Sequence, residues 1–157
     1  IVSGSVGTGK TKLSKKLSKA LNYEYIDVSK LIKEKELSEG YDSENKCEIV
    51  NVGILKKFLV DLIKKSKKNL IIDSHMSHYL PKKYVDLCII TTCDLKVLKE
   101  RLKKRKYSVK KIKENLEAEI FDTCLSEAKE NKHNILIVNT TKGYKIKNIV
   151  EFIENEI

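Results

Sequence analysis

Residues 4–11 read Gly-Ser-Val-Gly-Thr-Gly-Lys-Thr, and three of the chain's six glycines fall inside this octet. Glycine is scarce elsewhere, so this stretch needs backbone conformations that residues with a Cβ avoid. The spacing G-x-x-x-x-G-K-T is that of a loop whose consecutive N–H groups turn inward around a polyphosphate. A dinucleotide fingerprint would run G-x-G-x-x-G; here the order is G-x-x-G-x-G, with Lys10 and Thr11 next. Ile1-Val2 reads as the tail of a buried strand, and Leu13, Leu17, Ala20 and Leu21 recur at helical spacing. The loop therefore opens onto a helix N-terminus, whose dipole favours an anion. In this reading Lys10 brings a point charge to the outer phosphates and the Thr11 hydroxyl ligates Mg²⁺. The chain is expected to bind a nucleoside triphosphate.

Further along, short apolar runs alternate with amphipathic stretches. Strands are expected at 23–26, 70–72, 87–90 and 135–138. Helices are expected at 28–37, 54–63, 95–105 and 146–157, with one long helix marked by Ile112, Leu116, Ile120, Leu125 and Ala128. The segment around Gly40-Tyr41-Asp42 reads only as polar. This alternation predicts an α/β fold: a parallel sheet in three layers, in one domain over 1–157. No apolar run approaches membrane-spanning length and no signal peptide is apparent, although the chain opens inside a strand, so residues are expected upstream. Cys47, Cys88, Cys93 and Cys124 form no C-x-x-C pair, which argues for reduced thiols rather than a zinc lid or a disulfide framework.

Of the 32 basic residues only Arg101 and Arg105 are arginine, against a net charge of +10. A lysine bias this strong is consistent with AT-rich coding, although lysine also supplies sequence-independent attraction to nucleic acid. The run Lys64-Lys65-Ser66-Lys67-Lys68 reads either as a solvated helix end or as an RNA or import patch. The two arginines carry more information, because the guanidinium fork holds phosphate in a way lysine does not. With Asp94 as N-cap they lie four residues apart on one helix face, with Leu98 and Leu102, either as surface residues or as cations for a migrating phosphoryl group.

Ligands in such a sheet sit at the carboxyl ends of the strands. Asp73 follows the apolar run Leu70-Ile71-Ile72, the place where a carboxylate holds Mg²⁺. His75 and His78 follow within Asp73-Ser74-His75-Met76-Ser77-His78. They admit a transition-metal site with Asp73, or simple loop roles; beside a phosphate loop the hard cation Mg²⁺ is expected.

The remaining segments resemble one family, adenylate kinase isoenzyme 6, also called coilin-interacting nuclear ATPase protein. The resemblance runs over nearly the whole chain. It is carried by Gly4 to Thr11, Gly40-Tyr41-Asp42 with Glu44 and Cys47, and Asp73-Ser74-His75. Val97-Leu98, Glu100-Arg101-Leu102, Arg105-Lys106-Tyr107, Lys110-Lys111-Ile112, Asn115 and Glu119-Ile120-Phe121 complete it. The resemblance implies a phosphate-loop fold of the nucleoside monophosphate kinase type, with an NMP-binding segment at about 29–52 and a short lid at about 104–114. It implies ATP on Gly7, Gly9, Lys10, Thr11 and Lys12, with Arg105 reaching the phosphates from the lid. Asp73 would hold Mg²⁺ with Thr11, and His75 would orient water or the acceptor. AMP would lie against Lys33 and Tyr41. The implied activity is reversible phosphoryl transfer between ATP and AMP, with slower ATP hydrolysis. A nuclear or cytoplasmic setting and a part in small ribosomal subunit maturation, with a ribosomal protein and rRNA as partners, are implied as well; a monomer off the membrane is expected.

The chain departs from the family pattern at several places. Ser29-Lys30 stand for Gly-Asp, Lys33 and Thr92 for arginines, Glu48 for proline and Met76 for glycine. Losing a bidentate contact to AMP at Lys33 would cost about 1.5–3 kcal/mol. Three rivals follow: a ribosome-assembly ATPase to which AMP is incidental, a shikimate- or gluconate-type kinase, and a nucleic-acid-binding module.

Overall fold

The computed structural model describes residues 1–44 and 47–157. Five parallel strands form the central sheet: β1 (Val2–Ser3), β2 (Glu24–Asp27), β5 (Leu70–Asp73), β6 (Cys88–Thr92) and β7 (Ile135–Asn139), in the order β2-β5-β1-β6-β7. The loop strand β1 is central, pairing with β5 through Val2–Asp73 and with β6 through Val2–Ile89 and Ser3–Ile90. Neighbours in space are therefore far apart in sequence, and the strand ends converge where the order reverses.

The unbroken apolar runs follow from burial on both faces. Ile71 and Ile89 face α1 (Lys10–Leu21) and α7 (Ile146–Glu156), in a core with Leu13, Leu17, Ile149 and Ile153. Their neighbours Ile72 and Ile90 face the opposite side. That second core takes Val28 and Ile32 of α2 (Val28–Glu34), Leu55 and Leu59 of α3 (Val52–Lys65), and Ala128 of α6 (Thr123–Glu130). Full burial of each such leucine or isoleucine is worth about 1.5–3 kcal/mol.

Three sequence expectations change. The helix at 28 stops at Glu34, because Glu36 takes φ 52° and the Leu37 N–H returns to the Ile32 carbonyl. The polar segment after it is an antiparallel hairpin, β3 (Ser38–Asp42) with β4 (Cys47–Val50), pairing Tyr41 with Glu48. Asn45 and Lys46, in the expected NMP-binding segment, lie outside the described residues. The long helix is two, α5 (Val109–Ile120) and α6, broken at Asp122 with φ 48°. The break has a packing cause. Ile112 and Leu116 join Leu98 and Leu102 of α4 (Leu95–Lys104) in a third cluster, whereas Leu125 and Ala128 belong to the sheet core. One straight helix does not reach both.

Candidate active site

The phosphate-loop glycines adopt the conformations their spacing predicts. Gly4, Gly7 and Gly9 have φ of 135°, 92° and 96°. A Cβ on Gly4 would stand 2.4 Å from the Thr91 carbonyl oxygen, and one on Gly7 would meet Leu98 and Leu102 at 2.9 and 3.0 Å. The loop thus lies tight against β6 and α4, and substitution is closed by both φ and space.

Threonine hydroxyls and one arginine brace the loop from behind. The Thr8 and Thr91 hydroxyls lie 2.6 Å apart, and Thr140 Oγ1 donates to the Thr8 carbonyl at 2.6 Å. Arg101 Nη1 donates to Thr140 Oγ1 and Nη2 to the Thr140 carbonyl, both at 2.9 Å, while Nη1 reaches the Gly7 carbonyl at 3.5 Å. The two arginines therefore part company. Arg101 ties the loop to the end of β7, and Arg105, at the C-cap of α4, opens into the cleft.

Lys10 Nζ donates to the Gly4 and Ser5 carbonyls, both at 2.9 Å. Burial pushes its pKa down to about 8, against the opposing pull of the Asp73 carboxylate. Asp73 itself is buried at the end of β5 and accepts from the Tyr25 hydroxyl at 3.0 Å. Burial and that carboxylate push the Tyr25 phenol well up. His75 is exposed at the cleft wall, but desolvation by the surrounding walls and the Lys10 charge push its imidazole down to about 4, which leaves it neutral at physiological pH.

His78 is not part of this chemistry. It is 1 % exposed, with Nδ1 2.7 Å from Ser3 Oγ and Nε2 2.7 Å from Glu127 Oε2. Since the carboxylate only accepts, Nε2–H donates to it and Nδ1 accepts from Ser3. The Tyr79 hydroxyl donates to the same carboxylate at 2.9 Å, fastening the loop after β5 to α6. A transition-metal site with His78 is excluded by this placement, and among the described residues no group of three His, Cys, Asp or Glu side chains gathers as a metal cluster.

One cleft of about 660 Å³ at the carboxyl ends of the strands receives the remaining candidates. Gly7, Gly9, Lys10, Thr11, Lys12, Lys33, Tyr41, Asp73, His75 and Arg105 all line it. Lys33 arrives on the last turn of α2 and Tyr41 on β3. Thr92 lies elsewhere, its carbonyl accepting from the Thr140 N–H at 2.9 Å. Thr11 and Asp73 both line the cleft and offer a hydroxyl and a carboxylate, hard oxygens of the kind that suit Mg²⁺ with phosphate and water completing its shell. The sequence reading gave no role to Tyr25, Lys15 or Lys111, of which Lys15 and Lys111 also line the cleft. Helical periodicity places Lys15 one turn beyond Thr11; the other two become visible only when strand and helix are folded together.

Residues 1–122 match the AAA domain family. The chain is 34% identical over 138 residues to an adenylate kinase isoenzyme 6 homolog of Dictyostelium discoideum, covering 88% of this chain and 78% of that protein. It is also 34% identical over 131 residues to the Caenorhabditis elegans protein of the same name, covering 83% and 72%. The chain belongs to the adenylate kinase isoenzyme 6 family. It is thus an enzyme of the nucleoside monophosphate kinase class, built on the phosphate-loop kinase fold. In fold it is similar to a shikimate kinase of Acinetobacter baumannii solved with shikimate, at TM-score 0.65 and 14% identity over 98% of this chain and 89% of that one. A kinase of Chloroflexus aurantiacus gives a TM-score of 0.63 at 17% identity, over 99% and 96%. These two likenesses speak for the fold alone.

Proposed function

We propose that the protein transfers the terminal phosphoryl group of ATP reversibly to AMP, giving two ADP, with slower hydrolysis of ATP. The observation that carries this reading is the single cleft in which the glycine loop, Asp73, the Arg105 lid and the β3–β4 hairpin all meet. Phosphoryl transfer needs positioning and charge neutralisation rather than covalent chemistry, and these walls supply both. The amides of Gly7, Gly9, Lys10, Thr11 and Lys12 and the Lys10 ammonium hold the triphosphate. Arg105 brings charge from the opposite side as the lid shuts out water. The neutral imidazole of His75 orients the attacking oxygen by accepting or donating one hydrogen bond. Lys33 and Tyr41 take the AMP side. Mg²⁺ held by Thr11 and Asp73 would neutralise charge on the outer phosphates.

A second reading, an ATPase to which AMP is incidental, draws support from the acceptor side. Lysine stands at 33, and Thr92 is an uncharged strand residue bonded to Thr140. A coupled assay of ADP formation from ATP, alone and with AMP, CMP, GMP or UMP, separates the two. Strong stimulation by AMP is expected; a rate indifferent to every acceptor means hydrolysis, and no ADP at all defeats both.

The family resemblance also supports a ribosomal protein of the small subunit and rRNA as partners, in nucleus or cytoplasm. Co-sedimentation with small-subunit precursors tests this, and sedimentation only as free protein refutes it. Among the described residues no helix is long and apolar enough to cross a membrane.

A further inference from the structure

We propose that Lys111 is a second lid-side cation, one that contacts the phosphoryl group in flight and stands already in place before Arg105 arrives. The inference rests on the phosphoryl-transfer reading above, though not on AMP as the acceptor.

Three observations carry it. The first is fixation. Ser108 caps α5, its hydroxyl accepting the Lys111 N–H at 3.2 Å, and Asn115 Nδ2 donates to the Lys111 carbonyl at 2.7 Å. The backbone at this position is clamped on both sides. The second is the side chain's seat. Lys111 is only 9 % exposed, with Nζ 4.4 Å from the centre of the Tyr107 ring, a geometry in which the ring face attracts the ammonium. The third is direction. Lys111 lines the same cleft as Lys10, Asp73 and Arg105.

Neighbouring lysines show what is unusual here. Lys103, Lys104, Lys106 and Lys110 are all exposed, as lysines on a solvated lid should be. Lys111 also sits in the first turn of α5, where a cation opposes the positive end of the helix dipole. Such a placement is electrostatically sensible when an anion enters the cleft below it. A preorganised charge stabilises a transition state more than a mobile one, since nothing need reorganise as charge develops. Arg105, exposed at the end of α4, is the less enclosed member of the pair.

The test uses the full chain and calorimetric binding of Mg-ADP, with and without aluminium fluoride as a mimic of the phosphoryl group in transit. For Lys111→Met the expected result is a loss of roughly ten- to a hundredfold in affinity for the fluoride complex, with Mg-ADP alone changed less than about threefold. Lys111→Arg should recover most of the loss, and kcat should follow the fluoride complex while KM for ATP stays level. Unchanged fluoride affinity, or an equal loss for both ligands, overturns the proposal. Should the methionine variant fail to fold, Lys111→Gln gives the same readout. Discrimination that persists while AMP fails to stimulate would sink the acceptor and leave Lys111 standing. If the unaltered chain binds no Mg-ADP, both readings fall together.

Discussion

Arg101 shows how much a single fork can hold. Its two terminal nitrogens reach three oxygens, on Gly7 and twice on Thr140, so the loop's spine is fixed from behind rather than from the ligand side. An ammonium has no planar pair of donors to repeat this. Arg101→Lys is expected to lower stability by about 1–3 kcal/mol and to raise KM for ATP, as read by denaturant melts and initial rates. An unchanged midpoint would show that the brace is dispensable. Lys10 gives a second expectation at this scale. Its pKa lies near 8 in the free protein, and a bound polyphosphate must raise it. Between pH 8 and 9, binding of Mg-ADP should therefore take up protons, visible as a dependence of the measured heat on the buffer's ionisation enthalpy. Heats independent of buffer would contradict it.

At the scale of elements, the proposed lid at about 104–114 runs from the end of α4 through the turn at Lys106, φ 55°, into the start of α5, beside the Leu98–Leu102–Ile112–Leu116 cluster. Arg105→Ala should lower kcat about 10²-fold with little effect on folding, measured by steady-state rates beside a thermal melt. A near-normal rate would mean that the lid's charge is supplied elsewhere. The elements also show what sequence can and cannot announce. The octet at 4–11 and Asp73 were legible because their chemistry is local: spacing on one loop, or one residue after one strand. The β3–β4 hairpin was missed because β3 is polar and mostly exposed, and because β4 is only four residues long and none of its residues is fully buried. The break at Asp122 was missed for the opposite reason. An apolar stripe runs through it, and only the positions of two separate cores reveal that no single helix can serve both.

Across the whole molecule, the two buried histidines, His78 and His133, have pKa values lowered first of all by burial. The buried Nδ1 of His133 also finds no hydrogen-bond partner among the described residues. The unfolded chain would titrate these groups near 6.5, while the fold resists their protonation. The unfolded state then binds more protons as pH falls below that value, so stability drops on the acid side and recovers above it. A melting temperature several degrees lower at about pH 5 than at about pH 7.5 is expected, and His78→Gln should shrink the difference. Equal melting at both would show that these imidazoles pick up their protons without penalty. The fold class, a parallel three-layer α/β sheet, was readable from alternation, whereas the strand order was not. His78 was not, since a buried imidazole shared between Ser3 and Glu127 joins residues up to 124 positions apart in the chain, and no local pattern encodes such a meeting.

The lid and the hairpin also touch one another. Lys110 Nζ lies 3.0 Å from Glu44 Oε1, joining the first turn of α5 to the β3–β4 turn, with both side chains well exposed. A fastening of that kind is weak and easily loosened by salt. In the proposed reaction such a clasp would favour the two walls standing together only slightly, and raised ionic strength would let them part.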